Sequence, residues 1–367
     1  MAQKVFGEMK ITICVHNLTN GGAEHVAALW ADGFAESGNN VTVILSEKNA
    51  SIEYPLSSKV KLENVYTGGN ALTRYFKKIR NLRKILQHEQ PDFALAVLKP
   101  WSEWLLLATI GMKTRVINTE HDSFERPESA PMNLETKIRK FWLNKLFPAV
   151  TVLTDADRNV IGKRLRNVYV MPNPLAFNPY YNLEKKEMVV LAAGRLDQWH
   201  VKGFDLLINA WGKVVPNHPG WKLRIAGRGS EKDECRIIKW AKDNGVQDSV
   251  ELLGFCSDLK SECAKAEIFV LSSRYEGFGM VLIEAMSQGC APVAADYLGR
   301  ASEIITSKNE GITCPVDDSD ALAKSIKKLI EDKPYRLQVQ KHACERSEYY
   351  SLKDTIMRWQ IIFDEIL

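Results

Sequence analysis

Two glutamates frame a glycine-rich turn in the segment SSRYEGFGMVLIEAM, which begins at Ser272. Glu276 lies in the loop after the predicted strand Ile268–Leu271, and Glu284 lies in the first turns of a helix predicted over Met280–Gln288. Carboxylates accept hydrogen bonds from sugar hydroxyls, and a helix N-terminus favours negative charge. A helix cap together with an exposed acidic face would give the same pattern. The residues alone therefore leave a ligand site and an ordinary capped helix both open.

Two cations flank one predicted strand-to-helix connection upstream of that turn. Arg195 follows the strand Val189–Ala193, and Lys202 directly precedes Gly203 and the next helix. A diphosphate needs such charges for its neutralisation. Most lysines and arginines instead face solvent. The position of this pair at the carboxyl end of a strand favours phosphate binding over two solvated charges.

Two glycines and a histidine follow strands in the first half of the chain. Gly21 and Gly22 lie between the first predicted strand and the first helix. Glycines there let backbone amides approach an anion, although a tight turn would explain them equally well. His121 stands within the polar triplet Glu120–His121–Asp122 just past another strand, and an ordinary loop histidine is the alternative.

Weaker signals follow two strands of the second half. Gly227 begins a lone Gly-x-Gly after Lys222–Ala226, and Phe255 and Cys256 follow the next strand, where their backbone could face a nucleobase. Ordinary strand ends explain both segments, so neither has independent force.

One Asp-x-Asp, Asp155 to Asp157, could hold a metal against a diphosphate. It lies where a strand becomes a helix, so capping by Thr154 or Asp155 is the better interpretation. No P-loop, His-Glu-x-x-His or Ser-His-Asp elbow occurs. We therefore expect no metal site.

Two helical segments of the first half mix cations with aromatic and aliphatic residues. Such helices suit an anionic membrane surface or a phosphorylated acceptor, and a core-packed helix with a solvated basic face is the alternative. Nucleic acid is a poorer partner because no base-reading module accompanies the charge. The candidate surface residues are Arg74, Lys77, Lys78, Arg80, Lys137, Arg139 and Lys140.

Length and composition indicate a globular protein of two domains. The 367 residues exceed what one core usually serves, and 45% are hydrophobic against 26% charged. The net charge of +4 permits an anionic partner without requiring one. The sequence shows no signal-peptide pattern, and its apolar windows are too short to span a bilayer. Seven scattered cysteines without a Cys-x-x-Cys pair indicate reduced thiols in a cytosolic protein.

Short apolar runs alternate with helix-period segments along the whole chain. The runs are continuously apolar, as in parallel strands buried on both faces, so they predict doubly wound α/β domains. The proline-rich stretch Met171–Asn182 predicts a linker between two such domains, with ligands bound in a cleft. Predicted strands are Ile11–Val15, Val41–Leu45, Phe93–Leu98, Val116–Thr119, Val150–Leu153, Val168–Met171, Val189–Ala193, Lys222–Ala226, Val250–Leu253, Ile268–Leu271, Pro292–Ala294 and Ile312–Pro315. Predicted helices include Ala23–Glu36, Arg74–His88, Leu134–Leu146 and an amphipathic C-terminal helix with Trp359.

Assembled, these segments resemble the retaining GT-B glycosyltransferases of family 4. The resemblance covers nearly the whole chain and is carried by EGFGMVLIEAM, GGAE, GRL followed by KGFDLLI, GFCSDL and the helix with Trp359. It implies two Rossmann-like domains with a cleft between them. The implied division is an acceptor domain over residues 1–172, a donor domain over 173–349, and a C-terminal helix over 350–367 that returns to the first domain.

The resemblance also implies a role for each candidate residue. Gly21 and Gly22 would lie under the donor's phosphates, and His121 would contact the transferred sugar. Arg195 and Lys202 would bind the diphosphate, Glu284 the ribose, and Glu276 with the backbone of Phe278 and Gly279 the sugar. The implied donor pocket further includes Gly227, Phe255, Cys256, Met280 and Val281. One departure is YLGRASEII, which has Arg300 where many relatives have a more glycine-rich turn, and this cation could touch the donor or face solvent.

These expectations describe a metal-independent retaining glycosyltransferase without a cofactor. It would move a sugar from a nucleotide-sugar, UDP being preferred to GDP, to a glycan or lipid-linked acceptor for a surface polysaccharide. It would act in the cytoplasm, peripheral to the inner face of the membrane. The alternatives are a sugar-nucleotide epimerase of the same fold, a GDP-mannose-dependent mannosyltransferase, and a non-catalytic binding protein with a relict site.

Overall fold

The computed structural model describes residues 8–19, 21–48, 52–127, 131–183 and 186–367. These residues divide into two compact units. The first contains the residues up to Pro174 together with Leu352–Leu367, and the second contains Leu175–Ser351. Each unit has its own parallel sheet and its own apolar core.

The described part of the first unit contains a seven-stranded parallel sheet. Its strands are β1 (Lys10–Cys14), β2 (Asn40–Leu45), β3 (Lys61–Asn64), β4 (Phe93–Val97), β5 (Arg115–Thr119), β6 (Ala149–Val152) and β7 (Val168–Val170). They are ordered β3-β2-β1-β4-β5-β6-β7, so Ile11 of β1 pairs with Val41 on one side and Phe93 on the other. Strand β4 is buried throughout, and β1 is buried after Lys10, because helices cover the sheet.

Helices connect these strands as a doubly wound fold requires. They are α1 (Gly22–Glu36), α2 (Ala71–Glu89), α3 (Trp101–Ala108), α4 (Leu134–Phe141) and α5 (Asp155–Ile161). A four-residue 3₁₀ turn, Leu143–Leu146, follows α4. Trp101 and Trp104 of α3 pack with Leu82 and Leu86 of α2 in the core of this unit.

The second unit repeats this architecture with six parallel strands in its described part. They are β8 (Glu187–Ala193), β9 (Lys222–Ala226), β10 (Val250–Gly254), β11 (Ala266–Leu271), β12 (Ala291–Ala295) and β13 (Ile312–Cys314), ordered β10-β9-β8-β11-β12-β13. Its helices are α6 (Trp199–Lys202), α7 (Phe204–Val214), α8 (Glu231–Asp243), α9 (Leu259–Lys265), α10 (Met280–Ser287), α11 (Ala301–Ile304), α12 (Ser319–Glu331) and α13 (Lys333–Ser347). The predicted doubly wound α/β class is confirmed.

The C-terminal helix α14 (Leu352–Ile366) belongs to the first unit. Its Trp359 meets Trp30 of α1 edge-on, with ring centroids 5.1 Å apart. Its Phe363 stacks on Phe93 at 4.1 Å. Gly33 of α1 permits this approach, because a Cβ there would lie 2.8 Å from Cγ1 of Ile356. Burial of these aromatic rings, rather than helix propensity, therefore holds α14 on the unit.

Three elements differ from the sequence-based expectations. Strand β3 was not predicted, because this polar and largely exposed edge strand has no apolar run to reveal it. Helix α3 was not predicted either, since its residues are apolar nearly all round and show little helical periodicity. The helix predicted over Leu134–Leu146 instead ends at Phe141, and the chain continues as the 3₁₀ turn.

Candidate functional site

The strand order of the second sheet reverses direction between β8 and β11. The loops that leave these two strands diverge to opposite faces of the sheet, and α/β folds bind ligands in the crevice this creates. Residues 194–203 follow β8, and residues 272–279 follow β11. The cations and the acidic turn singled out in the sequence are therefore brought to one place.

Close backbone contacts fix the two loops against each other. Gly203 has a φ of 66°, and a Cβ there would lie 2.0 Å from the carbonyl oxygen of Ser272. Ser272 Oγ in turn donates to the carbonyl of Lys202 at 2.8 Å. Any larger residue at position 203 would force the loops apart, so this glycine sets where Lys202 lies.

Lys202 and Glu276 form an ion pair at this crevice. Lys202 Nζ lies 2.7 Å from Glu276 Oε1, and both side chains are largely buried. Ser273 Oγ donates to the same carboxylate oxygen at 2.6 Å. The pair places one cation beside one strong hydrogen-bond acceptor, which is what an anionic group next to a hydroxylated group would need.

Arg195 lies nearby in sequence but in a different environment. Its side chain is 61% exposed, and it donates to both carboxylate oxygens of Asp197, at 3.1 and 2.6 Å. The hydrogen bonds from Arg195 hold the pKa of Asp197 below its usual value. Arg195 is thus a solvent-facing cation held by a neighbouring acid, and a ligand phosphate could replace that acid.

Arg274 is a site residue that was missed from the sequence. Its Nη1 and Nη2 donate to the two carboxylate oxygens of Asp205, each at 2.8 Å, and Nη1 also donates to the carbonyl of His200 at 2.6 Å. Its Nε pairs with Asp317, and its backbone N–H donates to the carbonyl of Val201. Arg274 therefore ties the Glu276 loop to the Lys202 loop. Its position directly after a strand's carboxyl end was the available signal.

Glu284 is a buried carboxylate on α10. Only 6% of the residue is exposed, and the side-chain hydrogen bond that the described structure shows at Glu284 goes to its backbone carbonyl, from Ser287 Oγ, and not to its carboxylate. Burial raises the pKa of Glu284 to about 7. An unpartnered buried carboxylate lowers stability unless a ligand's hydroxyls satisfy it, so the residue favours a ligand site over a helix cap.

The turn between Glu276 and Glu284 packs against Tyr297. Gly279 has a φ of 96°, and a Cβ there would lie 2.5 Å from the Tyr297 hydroxyl. That buried hydroxyl donates to the Phe278 carbonyl at 2.5 Å. The Phe278 carbonyl is consequently occupied, which leaves backbone N–H groups to a ligand. Met280 and Val281, at the start of α10, remain half-exposed.

Arg300 does not face solvent, which corrects one of the two placements expected for it. Its side chain is buried, and Nη1 donates to the Leu298 carbonyl at 3.1 Å.

Gly227, which was expected in the donor pocket, is required for packing, because a Cβ there would lie 1.8 Å from the Gly194 carbonyl oxygen. Phe255 is exposed, and Cζ of the Arg228 guanidinium lies 4.4 Å from the centre of the Phe255 ring. Cys256 is half-buried.

In the first unit, His121 follows β5 and makes one hydrogen bond. Thr119 Oγ1 donates to the Ala96 carbonyl at 2.8 Å, so toward His121 Nε2, at 3.1 Å, it can only accept. This assigns the proton to Nε2 and leaves Nδ1, which is buried without a partner in the described structure, as a free acceptor. Burial lowers the pKa of His121 to about 4, so the ring is neutral near pH 7.

The amino end of α1 is already occupied by a carboxylate. Gly21 is the N-cap residue, and Glu24 three residues later folds back so closely that a Cβ on Gly21 would lie 1.9 Å from its Oε2. Burial raises the pKa of Glu24. A phosphate over Gly21 and Gly22 would have to displace this side chain.

The seven candidate surface cations are not equivalent. Lys140 is only 2% exposed, which is incompatible with the predicted surface role, because its Nζ donates to the carbonyls of Asp122 and Ser123 at 2.6 and 2.9 Å. Arg139 is held by Glu103 at 2.7 Å, and Lys78 donates to the Ser46 carbonyl at 3.2 Å. The cations that remain exposed are Arg74, Lys77, Arg80 and Lys137.

The Asp-x-Asp segment acts in local structure. Thr154 caps α5 by accepting from the Asp157 backbone N–H, and Asp157 accepts from Ser123 Oγ at 2.7 Å. Asp155 pairs with Arg158. Among the residues that the structure describes, no group of three or more His, Cys, Asp or Glu is arranged to hold a metal ion.

Comparison with known families accounts for this architecture. The model of Glycosyltransferase Family 4 matches residues 20–177, and that of Glycosyl transferases group 1 matches residues 177–346. The two matches are adjacent and extend over most of the chain. The chain belongs to the glycosyltransferase family that these two models describe, and the protein is a glycosyltransferase.

Relatives align over nearly the full length. A Campylobacter jejuni enzyme named GalNAc-alpha-(1->4)-GalNAc-alpha-(1->3)-diNAcBac-PP-undecaprenol alpha-1,4-N-acetyl-D-galactosaminyltransferase is 26% identical over 98% of this chain and 99% of its own. The amylovoran biosynthesis glycosyltransferase AmsD of Erwinia amylovora is 27% identical over 97% of this chain and 99% of its own.

Solved structures show the same fold. Anabaena HepE in complex with UDP and glucose matches with a TM-score of 0.80 at 18% identity, covering 98% of this chain and 100% of that one. A mutant of Staphylococcus aureus TarM, in complex with fondaparinux, alpha-GlcNAc-glycerol and UDP, matches with a TM-score of 0.79 at 15% identity, covering 97% and 100%. The GT-B fold is thereby established for this chain.

Proposed function

We propose that this glycosyltransferase moves a sugar from a UDP-sugar donor to a glycan or lipid-linked acceptor, with retention of configuration and without a metal ion. The observation that carries the proposal is the ion pair of Lys202 and Glu276, at the point where the strand order of the second sheet reverses. A sugar diphosphate needs both partners, a cation for its phosphates and an acceptor for its hydroxyls.

Positive charge near the diphosphate is the main chemical requirement of the reaction. Cleavage of the bond between the anomeric carbon and the diphosphate oxygen leaves negative charge on the nucleoside diphosphate. Lys202 and Arg195 would stabilise that charge where it develops. Both are held by carboxylates in the structure, Lys202 by Glu276 and Arg195 by Asp197. A phosphate can exchange for these partners, which supports leaving-group stabilisation by side chains alone.

The two glutamates then have different roles. Glu284, buried and unpartnered among the described residues, would accept hydrogen bonds from the ribose hydroxyls. Glu276 already accepts from Lys202 and Ser273, as expected for a group that positions the sugar and not for a free nucleophile. Retention would then result from attack by the acceptor on the face from which the leaving group departs, so no covalent glycosyl-enzyme forms.

His121 would contribute a neutral hydrogen bond. Its free Nδ1 can accept a hydrogen bond from a sugar hydroxyl, because Thr119 holds the proton on Nε2. Since burial lowers its pKa to about 4, the ring would present this acceptor throughout the neutral range. This supports a role in holding the transferred sugar rather than in neutralising the diphosphate.

The names of relatives support the acceptor class. One Campylobacter jejuni relative is named for a PP-undecaprenol-linked saccharide, and the Erwinia amylovora relative for amylovoran biosynthesis. We therefore propose a lipid-linked or polysaccharide acceptor, with the enzyme acting peripherally at the inner face of the cell membrane. The seven free cysteines, most of them buried, support a reducing compartment such as the cytoplasm.

The test starts from donor binding. UDP-glucose, UDP-GlcNAc, UDP-GalNAc and GDP-mannose are screened by thermal shift, because a ligand of the native state raises Tm. The stabilising donor is then incubated alone, with a polyprenyl-diphosphate-linked or polysaccharide acceptor, and with that acceptor plus EDTA. We expect transfer only in the presence of acceptor, an unchanged rate in EDTA, and an α-linked product from an α-linked donor by NMR.

Each component of the proposal can fail separately. Conversion of the donor without acceptor would identify an epimerase. Loss of activity in EDTA, restored by a divalent ion, would contradict metal independence. A covalent glycosyl adduct on Glu276 in the intact-mass spectrum would contradict its role as a positioning group.

A further inference from the structure

Four large apolar side chains are exposed on one segment of the first unit. Leu134, Ile138, Trp142 and Leu146 recur at four-residue intervals along α4 and its 3₁₀ extension, and they are 73%, 50%, 68% and 65% exposed. Four-residue spacing within the α-helix and its C-cap places Leu134, Ile138 and Trp142 along one face, and Leu146 is exposed on the 3₁₀ turn that follows. Single exposed apolar residues are ordinary, but four on one short segment, three of them on one helix face, indicate a contact surface. These four residues are called the α4 ridge below.

The opposite face of the same segment carries its polar contacts into the protein. Lys140 Nζ donates to the carbonyls of Asp122 and Ser123 and lies 4.2 Å from the centre of the Phe124 ring. It also lies 3.4 Å from Glu120 Oε2. Turning the helix to bury the α4 ridge would leave this buried ammonium without its partners, at a large cost in free energy. The outward orientation of the ridge is therefore fixed by the fold.

Helix α2, which like α4 contacts α3, also has exposed apolar residues. Leu72 and Phe76 on its first turns are exposed. Both α2 and α4 contact α3: Lys78 of α2 lies 4.8 Å from the Trp104 ring centre, and Arg139 of α4 pairs with Glu103. Exposed apolar residues therefore occur on two helices that both contact α3.

The charges around the α4 ridge decide which partner fits it. Lys145 Nζ lies 4.6 Å from the centre of the Trp142 ring, and Lys137 is exposed on α4. Arg74, Lys77 and Arg80 are exposed on α2. Apolar residues and tryptophan surrounded by lysine and arginine are the pattern of segments that lie in the interface of an anionic bilayer. In a symmetric pair of chains, the same cations would face their own copies and repel.

We infer that the α4 ridge inserts into the headgroup region of an anionic lipid bilayer, with the surrounding cations on the lipid phosphates. Insertion of the α4 ridge extends the membrane location in the proposed function, and it requires neither a particular donor nor the proposed roles of Lys202 and Glu276. Removing apolar surface should weaken binding to every vesicle, whereas removing the cations should weaken binding only to anionic ones.

The experiment is co-flotation of the full chain, without donor, with vesicles of equal parts phosphatidylcholine and phosphatidylglycerol. Ile138→Ser with Trp142→Ser should lower the partition coefficient roughly tenfold or more, because two inserted apolar side chains are lost. The matched control is Met357→Ser with Ile361→Ser, two exposed apolar residues with the same spacing on α14 of the same unit. This control should change partitioning by less than about twofold, as expected for a surface outside the contact. The conservative variant Trp142→Phe should retain most of the binding.

Further measurements separate this inference from the proposed function. Lys137→Gln with Lys145→Gln should reduce binding to the mixed vesicles and leave weak binding to pure phosphatidylcholine unchanged. Tm and UDP affinity should match wild type in all these variants, so loss of the fold or of the donor site is recognised. Equal flotation of the ridge and control variants would overturn the inference. So would light scattering that shows a wild-type dimer dissociated by the ridge variant, because the ridge would then bind a second copy of the chain.

Discussion

The two sheets share the strand order of a doubly wound fold, yet their candidate site residues differ in charge. In the second unit, Lys202 is paired with Glu276 at 2.7 Å. In the first unit, His121 is neutral near pH 7 and hydrogen-bonds the Thr119 hydroxyl. The same topology therefore carries two kinds of side-chain arrangement: an ion pair in one unit, and a neutral hydrogen-bond acceptor in the other. The difference comes from loop residues and not from the sheets, as expected when function resides in sites carried by a common fold.

The largest effect is expected when the charge at Lys202 is removed. Lys202→Ala takes away the cation proposed to stabilise the leaving group, so kcat/KM should fall roughly a hundredfold or more. Lys213→Ala is the matched control, because Lys213 pairs with Asp320 on the same unit outside the crevice, and it should change kcat/KM by less than about twofold. Steady-state assays with the donor found by thermal shift measure both. Similar losses in the two variants would show that the Lys202 charge has no specific role.

A smaller loss is expected when the two loops of the second unit are no longer tied together. Arg274→Lys replaces a guanidinium that donates to both carboxylate oxygens of Asp205 with a single ammonium. If the lost hydrogen bonding raises the activation free energy by about 2 kcal/mol, kcat/KM would fall roughly thirtyfold. Arg224→Lys is the control, since Arg224 pairs with Glu187 and Glu251 elsewhere on the unit. Positioning predicts that Arg274→Lys lowers kcat/KM more than its change in Tm explains. If both variants show the same relation between Tm and rate, Arg274 is merely structural.

The proximity of Lys202 and Glu276 in the second unit could be predicted from the sequence, because both residues follow the carboxyl ends of strands. Continuous apolar runs located most strands, and parallel strands bring their carboxyl ends to one edge. Lys202 and Glu276 follow the neighbouring strands β8 and β11, so their proximity follows from the topology. The tie through Arg274 could not be predicted in the same way. Its carboxylate partner, Asp205, is 69 residues away, and nothing local in the sequence links the two.

The first unit was harder to predict for a related reason. A helical pattern in ETKIRKFWLNKL suggests that the apolar residues face the core and the cations face solvent. The structure departs from this at two positions: Lys140 is buried and Leu134 is exposed, although Lys137 faces solvent and Phe141 packs on the core. What decides the orientation is the set of carbonyl and carboxylate acceptors around Lys140, contributed by residues 120–123. Tertiary partners of this kind leave no periodic signal, so a period alone could not reveal these two departures.

Glu284 tests the second unit through stability as well as binding. Its pKa of about 7 exceeds the ordinary value of 4.5, so the folded protein binds the proton more tightly than the unfolded chain does. The free energy of unfolding therefore falls as pH rises between these two values, by about 3 kcal/mol in total. Glu284→Gln should remove this loss and unfold at a higher temperature than wild type at pH 8, with the two proteins converging near pH 5.

The same substitution should weaken ligand binding, which separates function from stability. Between pH 8 and 6 the ionised fraction of Glu284 falls from about nine-tenths to about one-tenth, so wild-type affinity for UDP should fall roughly fivefold. Glu284→Gln should bind UDP roughly tenfold more weakly than wild type at pH 8, with little dependence on pH. Isothermal titration at several pH values measures this. A variant that is more stable and also binds as tightly as wild type would show that the carboxylate does not contact the ribose.

The smallest effect is predicted for the first unit and is best sought in the Glu284→Gln background. With the titrating carboxylate of the second unit removed, the pH response of His121 in the first unit can be measured without that of Glu284. Because its pKa is about 4, His121 stays neutral down to pH 5.5, and kcat/KM should change by less than about twofold from pH 8. A second fall in rate near pH 6.5, abolished by His121→Asn, would mean that His121 titrates at its ordinary pKa and carries charge at the lower pH. The two units would then both use charged groups, and the contrast between them would lie only in which charges they hold. A flat profile, with His121→Ala still slower than His121→Asn, would instead confirm that the first unit contributes a hydrogen bond that does not depend on protonation.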